Sequence, residues 1–315
     1  MTTAQPAPPS DGGSECPPNP CACPAGRPVG IVGPRTTQTE ELNGCARDTF
    51  RLHSPSMQRD IEVAVLLPPA YARKTDPRFP VLYALHGRGA PYLTWTEMAP
   101  LRHALSERPM IVVVFNGDTA GCYLDASRRP RSLFRTFFFD ELTPFIESAY
   151  RTDPRRRGVT GFSMGGSGAA MYAVERPGFF AGVSCLSSGL DLTVPWAEDG
   201  RPAGMLEPLL GPRAENESAY AQASFFRRCD EALQRGAGLP PFFIACGTED
   251  FALGSARRAR DFLARRGIPL EYKESPGDHA WPYWRDISPD VVDFHWRTFE
   301  PDYRPVHPWP PTFRP

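Results

Sequence analysis

Residues 158–170 read Gly-Val-Thr-Gly-Phe-Ser-Met-Gly-Gly-Ser-Gly-Ala-Ala, and Gly161-Phe162-Ser163-Met164-Gly165 inside them constrains the fold more than any other stretch. A β-prone run meets a run of small, helix-compatible residues with no linker between them. Only a sharp turn makes that transition, with Ser163 at its apex in strained geometry and glycines where a side chain would collide with the adjoining strand or helix. The Gly-x-Ser-x-Gly form also arises by chance in Gly-rich loops, so its weight depends on a strand-then-helix succession elsewhere in the chain.

That succession is present. Residues 61–67, Ile-Glu-Val-Ala-Val-Leu-Leu, alternate before Pro68-Pro69 stops them, the pattern of a half-buried strand near a sheet edge. Residues 80–86 and 110–115 are almost continuously apolar and suit strands buried on both faces. Further strands are expected at 159–162, 181–187, 240–246 and 270–274. Helical spacing predicts helices over 94–106, 134–150, 167–175, 255–266 and 289–299, with Ser255 as a cap and Gly267 as a stop for the fourth. Residues 36–60 read as polar and turn-rich. Residues 192–238 read as an excursion with two short helical patches and no strand, able to form a lid or one wall of a pocket. The alternation predicts an α/β fold, a mostly parallel central sheet with helices on both faces, as one domain over 36–300. Ligands of such sheets bind at the carboxyl ends of the strands.

Composition bounds the partners. A formal net charge of −1 over 315 residues leaves no field that would gather nucleic acid or an anionic membrane. No segment reaches the roughly 18 uninterrupted apolar residues of a membrane span. The 37 prolines concentrate in 1–35 and 301–315, which read as unstructured tails. With no basic start leading into an apolar run, the expectation is a soluble, cytoplasmic protein. Of eight cysteines, Cys185 and Cys246 sit in strand-like runs as small buried hydrophobes. Cys16, Cys21 and Cys23 in the tail lack a second ligand pair at zinc spacing, and neither metal nor cofactor is expected.

An acyl-transfer serine needs a base within hydrogen-bond reach, an acid that holds the base, and N–H donors aimed at the developing oxyanion. Ser163, Asp250 and His279 occur in the order this fold uses, Asp250 after the 240–246 strand and His279 after the last one, so three turns can converge on one rim. Glu249 and Asp191 are alternative acids. Of the six histidines, His53, His103, His295 and His307 lie in a polar segment, a helix, the terminal helix and the tail. His86, beside Gly87-Arg88-Gly89, suits organising that loop, which leaves His279 as the base. The expected oxyanion donors are the backbone N–H of Met164, the residue after the nucleophile, and that of Arg88, with Gly87 next in line.

Leu85-His86-Gly87, Asn116-Gly117-Asp118, Gly161-Phe162-Ser163-Met164-Gly165-Gly166, Gly247-Thr248-Glu249-Asp250 and Gly277-Asp278-His279-Ala280-Trp281 together resemble the esterase D-like family of α/β-hydrolases. That family includes S-formylglutathione hydrolases, feruloyl and acetyl xylan esterases, tributyrin-type esterases and mycolyltransferases. The resemblance covers roughly residues 50–300 and leaves out both tails. It implies the α/β-hydrolase fold, Ser163 as nucleophile, Asp250 as acid, His279 as base and the Arg88 and Met164 amides as oxyanion donors. The activity implied is that of a serine carboxylesterase on short-chain or aryl esters. One alternative is an acyltransferase using the same triad with an alcohol or sugar acceptor. Another is a non-catalytic binding protein on the same scaffold, which an intact triad disfavours. His86, Gly87, Tyr92, Trp95, Tyr123, Trp281 and Trp284 flank the expected turns and are candidates for the wall of a pocket for a small-molecule ester.

Overall fold

The computed structural model describes residues 37–73, 77–195 and 204–305. Its strands are β1 (Thr37–Leu42), β2 (Cys45–Ser54), β3 (Arg59–Leu67), β4 (Phe79–Leu85), β5 (Ile111–Phe115), β6 (Thr152–Phe162), β7 (Gly182–Leu186), β8 (Phe242–Gly247) and β9 (Leu270–Ser275). They form one sheet in the order β1-β2-β3-β5-β4-β6-β7-β8-β9. The pairs from β1 to β3, and β3 with β5, are antiparallel. Every neighbouring pair from β5 to β9 is parallel.

The continuous apolar runs make sense in this sheet because both faces are covered. In β4, Val81, Tyr83 and Leu85 belong to one core layer while Leu82 and Ala84 belong to the other, and β5 divides the same way. Helices Met164–Glu175, Phe225–Gln234 and Leu253–Arg265 cover the first layer with Ala169, Cys229 and Leu263. Helices Ala99–Glu107 and Trp281–Thr298 cover the second with Leu101, Leu105, Val291 and Val292. After β4 the chain crosses to β5 on one side and then to β6 on the other. The winding therefore reverses between β4 and β6, and the loops leaving their carboxyl ends share a crevice.

Several elements differ from the sequence expectation. The polar segment 36–60 contains β1 and β2, so β3 lies third from the edge. Burial in β2 is carried partly by Arg47 and Ser54, which hydropathy does not read as apolar. The helix expected at 94–106 is two pieces, Thr94–Glu97 and Ala99–Glu107, broken at Met98, whose extended ψ of 104° sets up Pro100 in the first turn of the second piece. The helix expected at 134–150 passes through a π-helical stretch, Phe137–Leu142, just before Pro144. Ser255 is no cap: the helix begins at Leu253, and the buried Ser255 hydroxyl donates to the Pro195 carbonyl at 3.3 Å. Gly267 does stop it, at φ +66°.

The terminal helix begins at Trp281, well before Pro289, which lies inside it. Pro289 cannot donate to the Arg285 carbonyl one turn earlier, and the Ser288 hydroxyl supplies that bond at 2.7 Å. The described part of the 192–238 excursion holds helices Glu207–Leu210, Glu217–Ala223 and Phe225–Gln234 and no strand. The N-terminal tail, with Cys16, Cys21 and Cys23, lies outside the described residues, as do 196–203 and 306–315 with His307. Residues 301–305, expected as part of an unstructured tail, instead pack on the terminal helix: Tyr303 meets Phe294 edge-on and donates to Glu271 at 2.7 Å. Cys185 and Cys246 are fully buried. Among the described residues, no helix is long and apolar enough to cross a membrane.

Candidate active site

Ser163 follows the last residue of β6 and precedes the Met164–Glu175 helix with φ 54° and ψ −122°, a conformation L-residues adopt only under constraint. Two glycines supply the constraint through close approach. A Cβ on Gly161 would lie 2.2 Å from the Gly165 carbonyl, and one on Gly165 would lie 2.3 Å from the Leu85 carbonyl oxygen. The helix therefore sits directly on β4 and β6, with the serine hydroxyl carried above the strand ends.

Three loops converge on that hydroxyl. His279 Nε2 is 2.9 Å from Ser163 Oγ, and His279 Nδ1 lies 2.9 and 3.0 Å from the two Asp250 carboxylate oxygens. The Asp250 side chain is fully buried and that of His279 is 18% exposed. Burial pushes the Asp250 carboxyl up. The hydrogen bond and charge of His279, with the Ala252 amide and Ser187, outweigh burial and hold it below the ordinary aspartate range. A carboxylate held ionised beside Nδ1 keeps the proton on that nitrogen and leaves Nε2 to accept from the serine.

Of the alternative acids, Asp191 is committed to the excursion, accepting from Thr193, from the Ser224 hydroxyl at 2.7 Å and from the Phe226 amide at 3.0 Å. Glu249 is exposed and forms a reciprocal clasp with the histidine loop. Its carboxylate accepts from the Gly277 amide at 2.6 Å, and its own amide donates to the Gly277 carbonyl at 3.0 Å. Neither approaches the imidazole as Asp250 does.

The loop after β4 faces Ser163 from the other side. His86 is buried, and its tautomer follows from its partners: Nε2 accepts from the Gly117 amide at 2.9 Å, so the proton sits on Nδ1 and is donated to the Gly87 carbonyl at 2.8 Å. Burial lowers its pKa, only partly offset by the Gly87 bond and Asp118, and the ring stays neutral. Tyr123 fixes the same loop by donating its hydroxyl to the His86 carbonyl at 2.9 Å. Within the loop the Gly89 and Ala90 amides are spent on the Thr119 and Gly87 carbonyls. The Arg88 and Met164 amides donate to no protein acceptor among the described residues.

The flanking aromatics divide by position. Trp95 is fully buried and donates to the Leu85 carbonyl at 3.0 Å, bracing the loop from behind. Tyr123 is buried as well, and Tyr92 is half-exposed against the layer holding Trp95. Gly87 packs so closely that an added Cβ would meet the Phe162 ring at 2.7 Å. Trp284 stacks on Phe162 at 4.3 Å, meets His279 edge-on at 5.2 Å and donates to Ser187 Oγ at 2.9 Å. Trp281 is exposed at the start of the terminal helix. Sequence reasoning missed Ser187 and Phe251. The first looks like any residue ending a strand, and the second follows Asp250 directly and stacks on His279 at 4.2 Å. A separate cavity of about 70 Å³ lies between the excursion and the far end of the Met164–Glu175 helix, lined by Tyr123, Met171, Tyr172, Leu192, Leu210 and Ala223. Ser163 and His279 take no part in it.

A family model described as "Putative esterase" matches residues 54–290. The chain belongs to this esterase family. It is a serine hydrolase acting on carboxylic ester bonds. The esterase is 25% identical over 276 residues to the acetyl esterase of Caldicellulosiruptor saccharolyticus, which covers 78% of this chain and 96% of that protein. It is 30% identical over 260 residues to esterase Rv1288 of Mycobacterium tuberculosis, covering 74% of this chain and 55% of that protein. Among solved structures, the S-formylglutathione hydrolase from Agrobacterium tumefaciens matches with a TM-score of 0.70 at 23% identity, over 86% of this chain and 99% of that one. The esterase thus has the α/β-hydrolase fold, with a mostly parallel sheet between layers of helices.

Proposed function

We propose that this esterase hydrolyses short-chain or aryl carboxylic esters through a Ser163–His279–Asp250 triad and an acyl-enzyme. The observation that carries the reading is the unbroken hydrogen-bond line from Ser163 Oγ through the imidazole to a buried carboxylate, at 2.9 Å and then 2.9 Å. As Ser163 Oγ attacks the ester carbonyl, His279 Nε2 takes its proton, and Asp250 stabilises the imidazolium without itself accepting the proton. The carbonyl oxygen becomes an oxyanion beside the Arg88 and Met164 amides, the second of which opens a 12-residue helix whose dipole favours negative charge there. Collapse of the tetrahedral intermediate expels the alcohol, protonated by Nε2, and leaves the acyl group on Ser163. Water then repeats the sequence, with His279 again as base, and frees the acid.

The acetyl esterase relative supports a small acyl group as the first substrate to try. Purified protein is expected to hydrolyse p-nitrophenyl acetate, and a fluorophosphonate probe is expected to label Ser163. Labelling at another residue, with turnover intact in Ser163→Ala, would overturn the reading.

A further inference from the structure

Phe251 and Trp281 are the large hydrophobic residues exposed among the described residues, at 55% and 36%. Both belong to the loops that carry the triad, one residue after Asp250 and two after His279. A singly exposed apolar side chain is ordinary. The Phe251 ring is not placed like one, because it lies 4.2 Å from the His279 ring at a tilt of 39°. One side of it shields the imidazole while the rest faces water.

The path of the proton decides which part of an ester would meet that ring. In acylation the bond from Ser163 Oγ to the acyl carbon forms as Nε2 takes the hydroxyl proton. The bond from that carbon to the alcohol oxygen then breaks, and Nε2 returns the proton to the departing oxygen, giving a neutral alcohol. The departing oxygen must therefore come within hydrogen-bond reach of Nε2, while the acyl oxygen points away toward the Arg88 and Met164 amides. The alcohol's substituent consequently lies beside the imidazole, where Phe251 is.

Resting on the triad reading, we propose that Phe251 is a specificity-determining residue for the alcohol side of the ester, its exposed face taking an apolar or aromatic alcohol group. Ring-on-ring contact and the removal of that face from water both favour a benzyl over an ethyl ester. The acyl side, across Ser163, does not touch it.

Benzyl acetate and ethyl acetate separate the possibilities because both pass through the same acetyl-enzyme, and kcat/KM reports the acylation step in which the alcohol is still present. Phe251→Ala is expected to lower kcat/KM for benzyl acetate about tenfold more than for ethyl acetate. Phe251→Trp is expected to restore the benzyl preference. Equal losses on both esters would assign Phe251 to holding the imidazole, and no loss on either would leave it without a role; each result overturns the proposal. Phe251→Leu keeps an apolar cover over His279 and repeats the measurement should the alanine variant unfold. Ser163→Ala assayed on the same two esters reports on the triad separately, since turnover retained there would sink the underlying reading whatever Phe251 does.

Discussion

His86 and His279 each follow a strand of the same sheet and stand on opposite sides of Ser163, yet their ring nitrogens meet different kinds of partner. Both His86 nitrogens are taken by backbone, the Gly117 amide and the Gly87 carbonyl. Both His279 nitrogens meet side chains, the Asp250 carboxylate and the Ser163 hydroxyl. Backbone groups have no second protonation state to offer, so His86 acts as a strut. A carboxylate and a hydroxyl can trade charge with the ring, so the same imidazole at the other loop can move a proton.

The contrast breaks most sharply at Ser163. Ser163→Ala removes the proposed nucleophile and is expected to lower kcat for p-nitrophenyl acetate by about 10⁴- to 10⁶-fold, measured against enzyme of equal thermal stability. Asp250→Asn turns the His279 side of the comparison into something like the His86 side, with a neutral partner that no longer holds the proton on Nδ1. A loss of about 10⁴ in kcat is expected from the wrong tautomer, and a loss under tenfold would argue against Asp250 as the acid.

His86→Phe tests the strut. It leaves the Gly117 amide unpaired and takes one of two donors from the Gly87 carbonyl, which keeps the Ala90 amide, and kcat is expected to fall by about 10²-fold as the Arg88 amide shifts, with a stability cost of about 1–3 kcal/mol in urea unfolding. The pH–rate profile of the remaining activity should be unmoved, and a displaced profile would mean that His86 trades protons after all.

A third histidine sharpens the comparison by having almost no partner. His295 is fully buried, its Nδ1 without a hydrogen-bond partner among the described residues and its Nε2 on Ser184 at 3.0 Å, and burial pushes it down to about 3. Free in the unfolded chain, the same ring titrates near about 6.5, so between that pH and about 3 the unfolded state binds the extra proton. Stability should therefore fall as pH falls through this window, by at most about 1.4 kcal/mol per pH unit. In His295→Gln that slope should flatten, as read from urea midpoints between pH 6.5 and 5, and an unchanged slope would place the acid sensitivity elsewhere.

Much of this site could be read from the chain because its parts are turns at strand ends. Ser163, Asp250 and His279 follow three runs of apolar residues, and the sheet brings strand ends together whatever the details of packing. The loop after β4 was legible for the same reason. What the chain withholds is direction. Trp95, Tyr123, Trp284 and Phe251 all lie near catalytic turns in sequence, but a one-residue change of phase decides whether such a ring braces a loop from within, as Trp95 does, or faces solvent, as Phe251 does. β2 escaped notice because Arg47 and Ser54 occupy inward positions, the Arg47 terminal nitrogens held there by Thr96 and by Glu40 at 2.5 Å, and Ser54 by Glu141 at 2.6 Å. A buried polar residue whose partner is distant in sequence cannot be told from a loop residue until the fold is known.

The clasp between Glu249 and Gly277 carries a mechanical consequence. It binds the Asp250 loop to the His279 loop twice over, and a Cβ on Gly247 would come within 2.0 Å of the Gly277 carbonyl oxygen, so the two loops are also wedged together. Asp250 and His279 then travel as one body, with Ser163 on another. Breathing of the rim is then taken up between that body and Ser163, across the hydrogen bond from the serine hydroxyl to Nε2 and the stack of Trp284 on Phe162. On warming, the bond from Ser163 to Nε2 should therefore lengthen while the imidazole still holds Asp250.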